Sequence, residues 1–230
     1  MLQDNYYQVE DRVKKACLRA GRDRKEVTLI AVSKTKPVSM LEEIYETGER
    51  DFGENKAQEL KMKYENMAKD IRWHMIGHLQ TNKVKYIADK VAMIHSVDSV
   101  RLAEVISREA GKHDRVLPVL IEVNVAEEES KFGVRVQDAE ALIRQIAELP
   151  NIHVNGLMTI APFVDDPGEN RLVFRKLKEL SVDIASKNIN NVSMIDLSMG
   201  MTGDFEVAIE EGATLVRVGT AIFGAREYNI

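Results

Sequence analysis

Short apolar runs alternate with amphipathic ones along almost the whole chain. The first segment carries Val9, Val13, Ala16, Cys17 and Ala20 at helical spacing, and Gly21 stands where that helix would stop. Val27 to Val32 follows, β-branched and nearly all apolar, the composition of a strand buried on both faces. Pro37 blocks immediate helix continuation, and Val38 to Thr47 then reads as a helix closed by Gly48. The alternation predicts further strands at Asp51–Gly53, Trp73–Ile76, Met93–Ser96, Pro118–Val125, His153–Ile160, Ser193–Leu197 and Thr214–Val218. Between them, Asp98 reads as an N-cap before the stripe Leu102, Val105, Ile106 and Ala110. A second stripe runs through Val136, Ala139, Leu142, Ile143 and Ile146 to Pro150, and a third through Leu172, Val173, Leu177, Leu180 and Ile184. One leading helix and about eight strand–helix units predict an α/β fold, a (β/α)8 TIM barrel with an extra N-terminal helix, as one domain over 1–230. A doubly wound open sheet is the alternative, because local pattern does not show closure.

Composition narrows the class. Apolar residues make up 44% and charged residues 30%, which is globular and excludes a disordered or collagen-like chain. Lys and Arg number 32 against 37 Asp and Glu, and the net charge of −5 argues against a nucleic-acid partner. The single cysteine, Cys17, permits no internal disulfide and no thiolate-built zinc site. The polar start MLQDNYYQVEDR is no signal peptide, and no apolar run approaches the ~20 residues that cross a bilayer. The expectation is a cytoplasmic protein with no membrane partner.

A barrel carries its chemistry at the carboxyl ends of its strands. Ser198, Gly200 and Thr202 form a small, hydroxyl-rich stretch after the seventh predicted strand, and Gly219 and Thr220 do the same after the eighth. Glycines let backbone N–H groups approach an anion and hydroxyls add donors, so adjacent turns of this kind read as a phosphate site; ordinary tight turns are the competing reading. Lys34 directly follows the first strand, where an amine partly withdrawn from water can attack a carbonyl. Period-two alternation points Arg217 into the barrel, where a guanidinium needs an acceptor on the protein or a ligand. Amine, phosphate cradle and inward arginine together describe a pocket for pyridoxal 5′-phosphate (PLP). His74, His78 and Tyr86 are candidate acid/base groups for an enzyme. The H-x-x-x-H spacing of the two histidines lies at a strand end without the Glu of a metalloprotease helix, so no metal is expected. His95 and His153 read as core or wall residues. Lys83, Lys85 and Tyr86 read as a solvated face, and Glu127 to Lys131 as a charged loop beside the mouth.

At this point AVSKTKP (31–37), DFGENKAQE (51–59), WHMIGHLQTNK (73–83), SKFGV (130–134), GLMTIAP (156–162), LSMGMTGDFEVAI (197–209) and VRVGTAIFGAR (216–226) resemble the pyridoxal phosphate homeostasis protein family. These are single-domain barrels similar to the N-terminal domain of alanine racemase, and the likeness runs from about residue 5 to residue 228. The resemblance implies that Lys34 holds PLP as a Schiff base and that Asn55 lies near the cofactor. It implies phosphate contacts from Ser198, Gly200, Met201, Thr202, Gly219 and Thr220, and Arg217 facing the pyridine nitrogen. Many members carry Ser where this chain has Thr202, which keeps the hydroxyl. The implied function is PLP homeostasis and delivery to PLP-dependent apoenzymes, without established catalysis. A racemase takes its second acid/base from another domain across a dimer, and this chain ends soon after the eighth predicted strand, so a monomer is expected. A PLP-dependent amino-acid racemase and a phosphate-binding barrel enzyme without PLP are the alternatives.

Overall fold

Strand β1 (Thr28–Val32) pairs with β2 (Asp51–Glu54), and parallel pairing continues through β3 (Arg72–Met75), β4 (Val91–Val97), β5 (Leu117–Glu122), β6 (Ile152–Met158), β7 (Val192–Met201) and β8 (Leu215–Val218). β8 returns to β1, with Thr28 opposite Leu215 and Ala31 opposite Val218, so the sheet closes into a barrel. This computed structural model describes residues 1–128 and 131–225. The closed barrel removes the open-sheet alternative.

Closure follows from the alternation of side chains on each strand. Phe52, Trp73, Met75, Ile94 and Ile121 are buried in the large cluster shared with the helix layer. The barrel interior holds a much smaller apolar cluster of Ile30, Met93, Leu120, Met158 and Leu215. Fully burying each such side chain is worth roughly 1.5–3 kcal/mol, so most of the stabilisation lies between sheet and helices.

The helices are α1 (Leu2–Arg19), α2 (Val38–Tyr45), α3 (Ala57–Asn66), α4 (Val100–Gly111), α5 (Ala139–Ala147), α6 (Arg171–Ser186), α7 (Phe205–Glu210) and α8 (Thr220–Phe223). The extra N-terminal helix α1 precedes the barrel and lies against α7 and α8. Arg12 and Arg19 tie it to Glu206 and Glu210. Among the described residues no helix is long and apolar enough to cross a membrane.

Element ends differ from the sequence expectation by up to four residues, and three differences bear on the site. Ser99, not Asp98, caps α4, its Oγ accepting from the Leu102 N–H at 3.4 Å; Asp98 instead lies 3.8 Å from His78 Nδ1. The β3–β4 connection is a 3-10 turn, Thr81–Tyr86, because between Leu79 and Ile87 only Val84 is buried and no apolar stripe can form. β7 runs on to Met201, so Ser198 and Gly200 belong to the strand and the turn begins later.

Candidate functional site

At the carboxyl ends of the strands a cavity of about 550 Å³ opens to solvent. Lys34 from the β1 end, Asn55 from the β2 end, Met201 and Thr202 from the β7 end, and Arg217, Gly219 and Thr220 from β8 and its turn all line it.

Lys34 is aimed by a buried ionic cluster behind it. Ser33 is fully buried and its Oγ donates to Glu54 Oε1 at 2.6 Å, facing the helix layer. Alternation then places Lys34 toward the cavity. Lys63 of α3, also fully buried, donates to the Ser33 carbonyl at 2.8 Å, Glu54 Oε1 at 2.6 Å and Glu59 Oε1 at 2.8 Å. Glu59 Oε1 also accepts from the Thr35 N–H at 2.6 Å. Thr35 has φ of 64°, a left-handed conformation that costs a β-branched residue energy and persists only where surrounding contacts hold it. The turn carrying Lys34 is therefore held by Lys63 and two glutamates.

Asn55 is fixed differently. A Cβ on Gly77 would stand 2.6 Å from the Asn55 carbonyl oxygen, so only glycine permits the β3 end to approach this closely. On the adjoining β7–β8 part of the rim the Gly219 N–H donates to Thr202 Oγ1 at 3.3 Å, and the Thr220 hydroxyl lies 3.3 Å from the same oxygen. Two hydroxyls and a backbone amide thus converge beside Lys34's cavity, a donor set suited to an anion.

Arg217 is buried below the rim. Its Nη1 donates to Ser198 Oγ at 2.5 Å and its Nη2 to the Thr159 carbonyl at 2.9 Å. Burial pushes its pKa down to about 10, against the pull of Glu122 and Asp204, so it stays cationic near neutrality. Ser198 is fully buried and does not line the cavity; its hydroxyl links Arg217 to His95 Nδ1 at 2.8 Å. Gly200, at φ 89°, also lies off the cavity, where a Cβ would meet Ala208 Cβ at 2.6 Å. Its glycine lets β7 pack on α7.

Glu122 at the β5 end is a buried carboxyl pushed up to about 7 by burial, then by the Asp98 carboxylate, with Arg217 opposing. The folded protein therefore holds this proton more tightly than the unfolded chain, and folding stability falls as pH rises from the ordinary 4.5 to about 7. Glu122→Gln fixes the neutral form. It is expected to match the parent at pH 4 and to exceed it at pH 8 by about 2–3 kcal/mol in urea unfolding. A variant no more stable than the parent at pH 8 counts against this account.

The remaining candidates lie elsewhere. His78 stacks on Phe132 with ring centroids 3.9 Å apart. Lys85 sits 5.1 Å from the Tyr86 ring, beside Lys83. His153 bonds Asn191 and Ser193. Among the described residues no group of three or more His, Cys, Asp or Glu side chains could hold a metal. Of the charged loop, Lys131 is exposed, while Glu129 and Ser130 lie outside the described residues, as does Arg226 at the end of the last motif.

Residues 7–227 match the family model of the alanine racemase N-terminal domain. A pyridoxal phosphate homeostasis protein of Aquifex aeolicus is 49% identical over 221 residues, which cover 96% of either chain. The chain belongs to the pyridoxal phosphate homeostasis protein family. Among solved structures, PipY of Synechococcus elongatus with PLP bound superimposes at a TM-score of 0.81 with 34% identity, over 94% of this chain and 100% of that one. A Bifidobacterium adolescentis protein reaches a TM-score of 0.92 at 38% identity, over 96% and 94%.

Within this homeostasis-protein barrel, sequence reasoning missed Lys63, Glu54 and Glu59. The signal was present: Lys63 falls in step with Ala57 and Leu60 on the apolar face of α3, and an amphipathic helix hides that face. Also missed was the pairing of His74 with His95, two inward positions on adjacent strands whose rings meet at 2.9 Å.

Proposed function

We propose that this chain binds pyridoxal 5′-phosphate in the cavity at the barrel mouth, covalently through Lys34, and serves PLP homeostasis by holding the cofactor and releasing it to apoenzymes. The observation that carries this reading is that one cavity is lined by the Lys34 amine, the Thr202–Gly219–Thr220 donor set and the buried Arg217. Among the described lining residues the charged groups, Lys34, Lys36 and Arg217, are all cations, which suits a phosphorylated aldehyde. A volume of about 550 Å³ falls within the 300–1,000 Å³ usual for small-molecule sites. The donors fit the group: Thr202, Gly219 and Thr220 would hold its phosphate, Asn55 and Met201 its flank, and Lys34 its aldehyde carbon. Bound there, PLP supplies an electrophilic carbon and an electron-withdrawing ring.

Arg217 favours holding over turnover. Set beside the ring nitrogen, as the resemblance implies, the cationic Arg217 guanidinium would oppose the ring protonation that makes PLP its best electron sink. Lys36, the other cavity ammonium, donates to the Ala225 carbonyl at 2.8 Å and closes the rim instead of facing across it.

The test is chemical. PLP is added, the complex reduced with borohydride, and the peptides are mass-analysed. One phosphopyridoxyl group on the Lys34 peptide is expected, and Lys34→Ala should lose it while keeping the parent's circular dichroism. Label spread over surface lysines, unchanged in Lys34→Ala, defeats the reading. Steady-state racemisation or decarboxylation of amino acids that vanishes in Lys34→Ala selects the enzyme alternative.

A further inference from the structure

A file of polar side chains crosses the barrel interior, where packed branched apolar residues are the rule. Arg217 Nη1 meets Ser198 Oγ at 2.5 Å, Ser198 Oγ meets His95 Nδ1 at 2.8 Å, His95 Nε2 meets His74 Nδ1 at 2.9 Å, and His74 Nε2 meets Asp51 Oδ1 at 3.0 Å. All five side chains are buried. Asp51 and its ion-pair partner Arg72 line a separate cavity of about 490 Å³ at the amino-terminal ends of the strands. The file thus joins the two ends of the barrel.

With both histidines neutral, donor counting fixes its direction. A guanidinium has no acceptor, so Ser198 Oγ accepts from Arg217. The single hydroxyl proton of Ser198 then goes to His95 Nδ1. His95 must carry its proton on Nε2 and give it to His74 Nδ1, and His74 gives its Nε2–H to Asp51. Every donor has one acceptor, all pointing from Arg217 to Asp51. Protonating His74 reverses this order. His74 then donates from Nδ1 to His95 Nε2, His95 moves its proton to Nδ1, and the Ser198 hydroxyl must turn away. The His95 Nε2 proton passes to His74 Nδ1 and one solvent proton is bound at His95 Nδ1, so one N–H bond breaks, two form, and the file gains a single proton.

We infer that Asp51 and His74 are positioning residues for Arg217, acting through His95 and Ser198, so that charge at the amino-terminal end of the barrel sets the hydrogen bonding of the arginine beneath the cavity. Stability alone does not account for the file, since replacing buried charged or polar networks with packed apolar residues is often neutral or stabilising. His95 stays neutral near pH 7, because burial holds it well below 6.5 and a positive charge on His74, when present, or on Arg217 adds to this. The groups facing the file are few. Arg72 pairs with Asp51 from β3, and Glu49, pushed up to about 6 by burial, accepts from the Asp51 N–H at 2.8 Å. Glu122 and Asp204 act on Arg217 from the other end. Ile30, Met93, Leu120, Met158 and Leu215 supply the apolar remainder.

The expected role toward PLP rests on the proposed function; the relay itself does not, and it is tested first without cofactor. Nitrogen-15 NMR of the histidine rings should show both His74 and His95 as Nε2–H at pH 8. On acidification, His95 should change to Nδ1–H at the same midpoint at which His74 takes up its proton. Asp51→Asn should lower that midpoint by at least half a pH unit, and Arg72→Gln, which removes a cation from the same carboxylate, should raise it. Opposite signs distinguish a relay from mere packing, and Arg72→Gln alters an exposed side chain, so it decides the matter if Asp51→Asn does not fold. His95 found as Nδ1–H at pH 8, a His95 tautomer unmoved while His74 titrates, or an unmoved midpoint in Arg72→Gln overturns the inference. With PLP added, the absorption spectrum should titrate at the shifted midpoints in the same order. Intact histidine coupling without any PLP spectrum defeats the cofactor reading and leaves the relay standing; a bound-PLP spectrum that ignores both substitutions overturns the coupling to the cavity.

Discussion

Lys63→Met should lose about 3–5 kcal/mol of folding stability, the usual cost of removing one partner from a buried ion pair. Lys63 and Glu54 are both fully buried and meet at 2.6 Å. Methionine matches the lysine stem in volume but offers no donor, so three acceptors are abandoned together: the Ser33 carbonyl, Glu54 and Glu59. Glu54 is hit hardest. Burial already raises its pKa above 4.5 although Lys63 pulls it down, and one of its oxygens, Oε2, has no hydrogen-bond partner among the described residues. Without the cation the charged form keeps only the Ser33 hydroxyl to offset its desolvation, so the loss should be larger at pH 8 than at pH 5, where protonation relieves it. Lys63→Met with Glu54→Gln should recover a large part of the loss, because the stranded charge is gone. The consequence for function follows through Thr35, whose left-handed backbone is held by the same Glu59 that Lys63 clamps. PLP affinity should fall at least tenfold in the single variant. Urea unfolding at both pH values and a PLP binding titration read these effects, and a loss under about 1 kcal/mol at pH 8 rules the account out.

The barrel and its mouth were legible because they depend on signals local in sequence. Alternating apolar runs placed all eight strands to within a few residues, and Gly21, at φ 66°, marks the end of α1 as read. Lys34, Thr202, Gly219 and Thr220 sit just past strand ends, where topology alone brings them together once the sheet closes. What stayed hidden depends on distant pairing. Ser198 reads as a rim hydroxyl from its position beside Gly200, yet β7 continues past it and turns its side chain down to Arg217 and His95. Nothing within β7 signals that length, because it comes from the bulged register against β8 between Ser198 and Met201. His74 and Asp51 likewise become neighbours only through the β2–β3 register, Gly53 opposite His74.

Gly156→Ala should be the most damaging single methyl in the protein, costing more than about 4 kcal/mol or abolishing soluble folding. An added Cβ would lie 1.8 Å from the Asp196 carbonyl oxygen and 2.7 Å from its carbon, backbone atoms that no side-chain rotation can clear. Overpacking ordinarily costs about 1–3 kcal/mol because neighbouring side chains give way; here a strand must move. The site lies where the β6–β7 register shifts between Val154 and Gly156, so the close approach sets the offset that later pairs Met158 with Ser198. Separating the strands would displace Ser198 and Thr159, both of which accept from Arg217, and would open the barrel on the side that holds the arginine. Gly203→Ala is the control, since a Cβ there meets nothing within 4 Å among the described residues and its φ is not left-handed; its stability should stay within about 0.5 kcal/mol of the parent. The urea midpoints of the two variants decide the matter. If Gly156→Ala unfolds within about 1 kcal/mol of Gly203→Ala, the strands have room to part, and the β6–β7 offset is not what fixes Ser198 under Arg217.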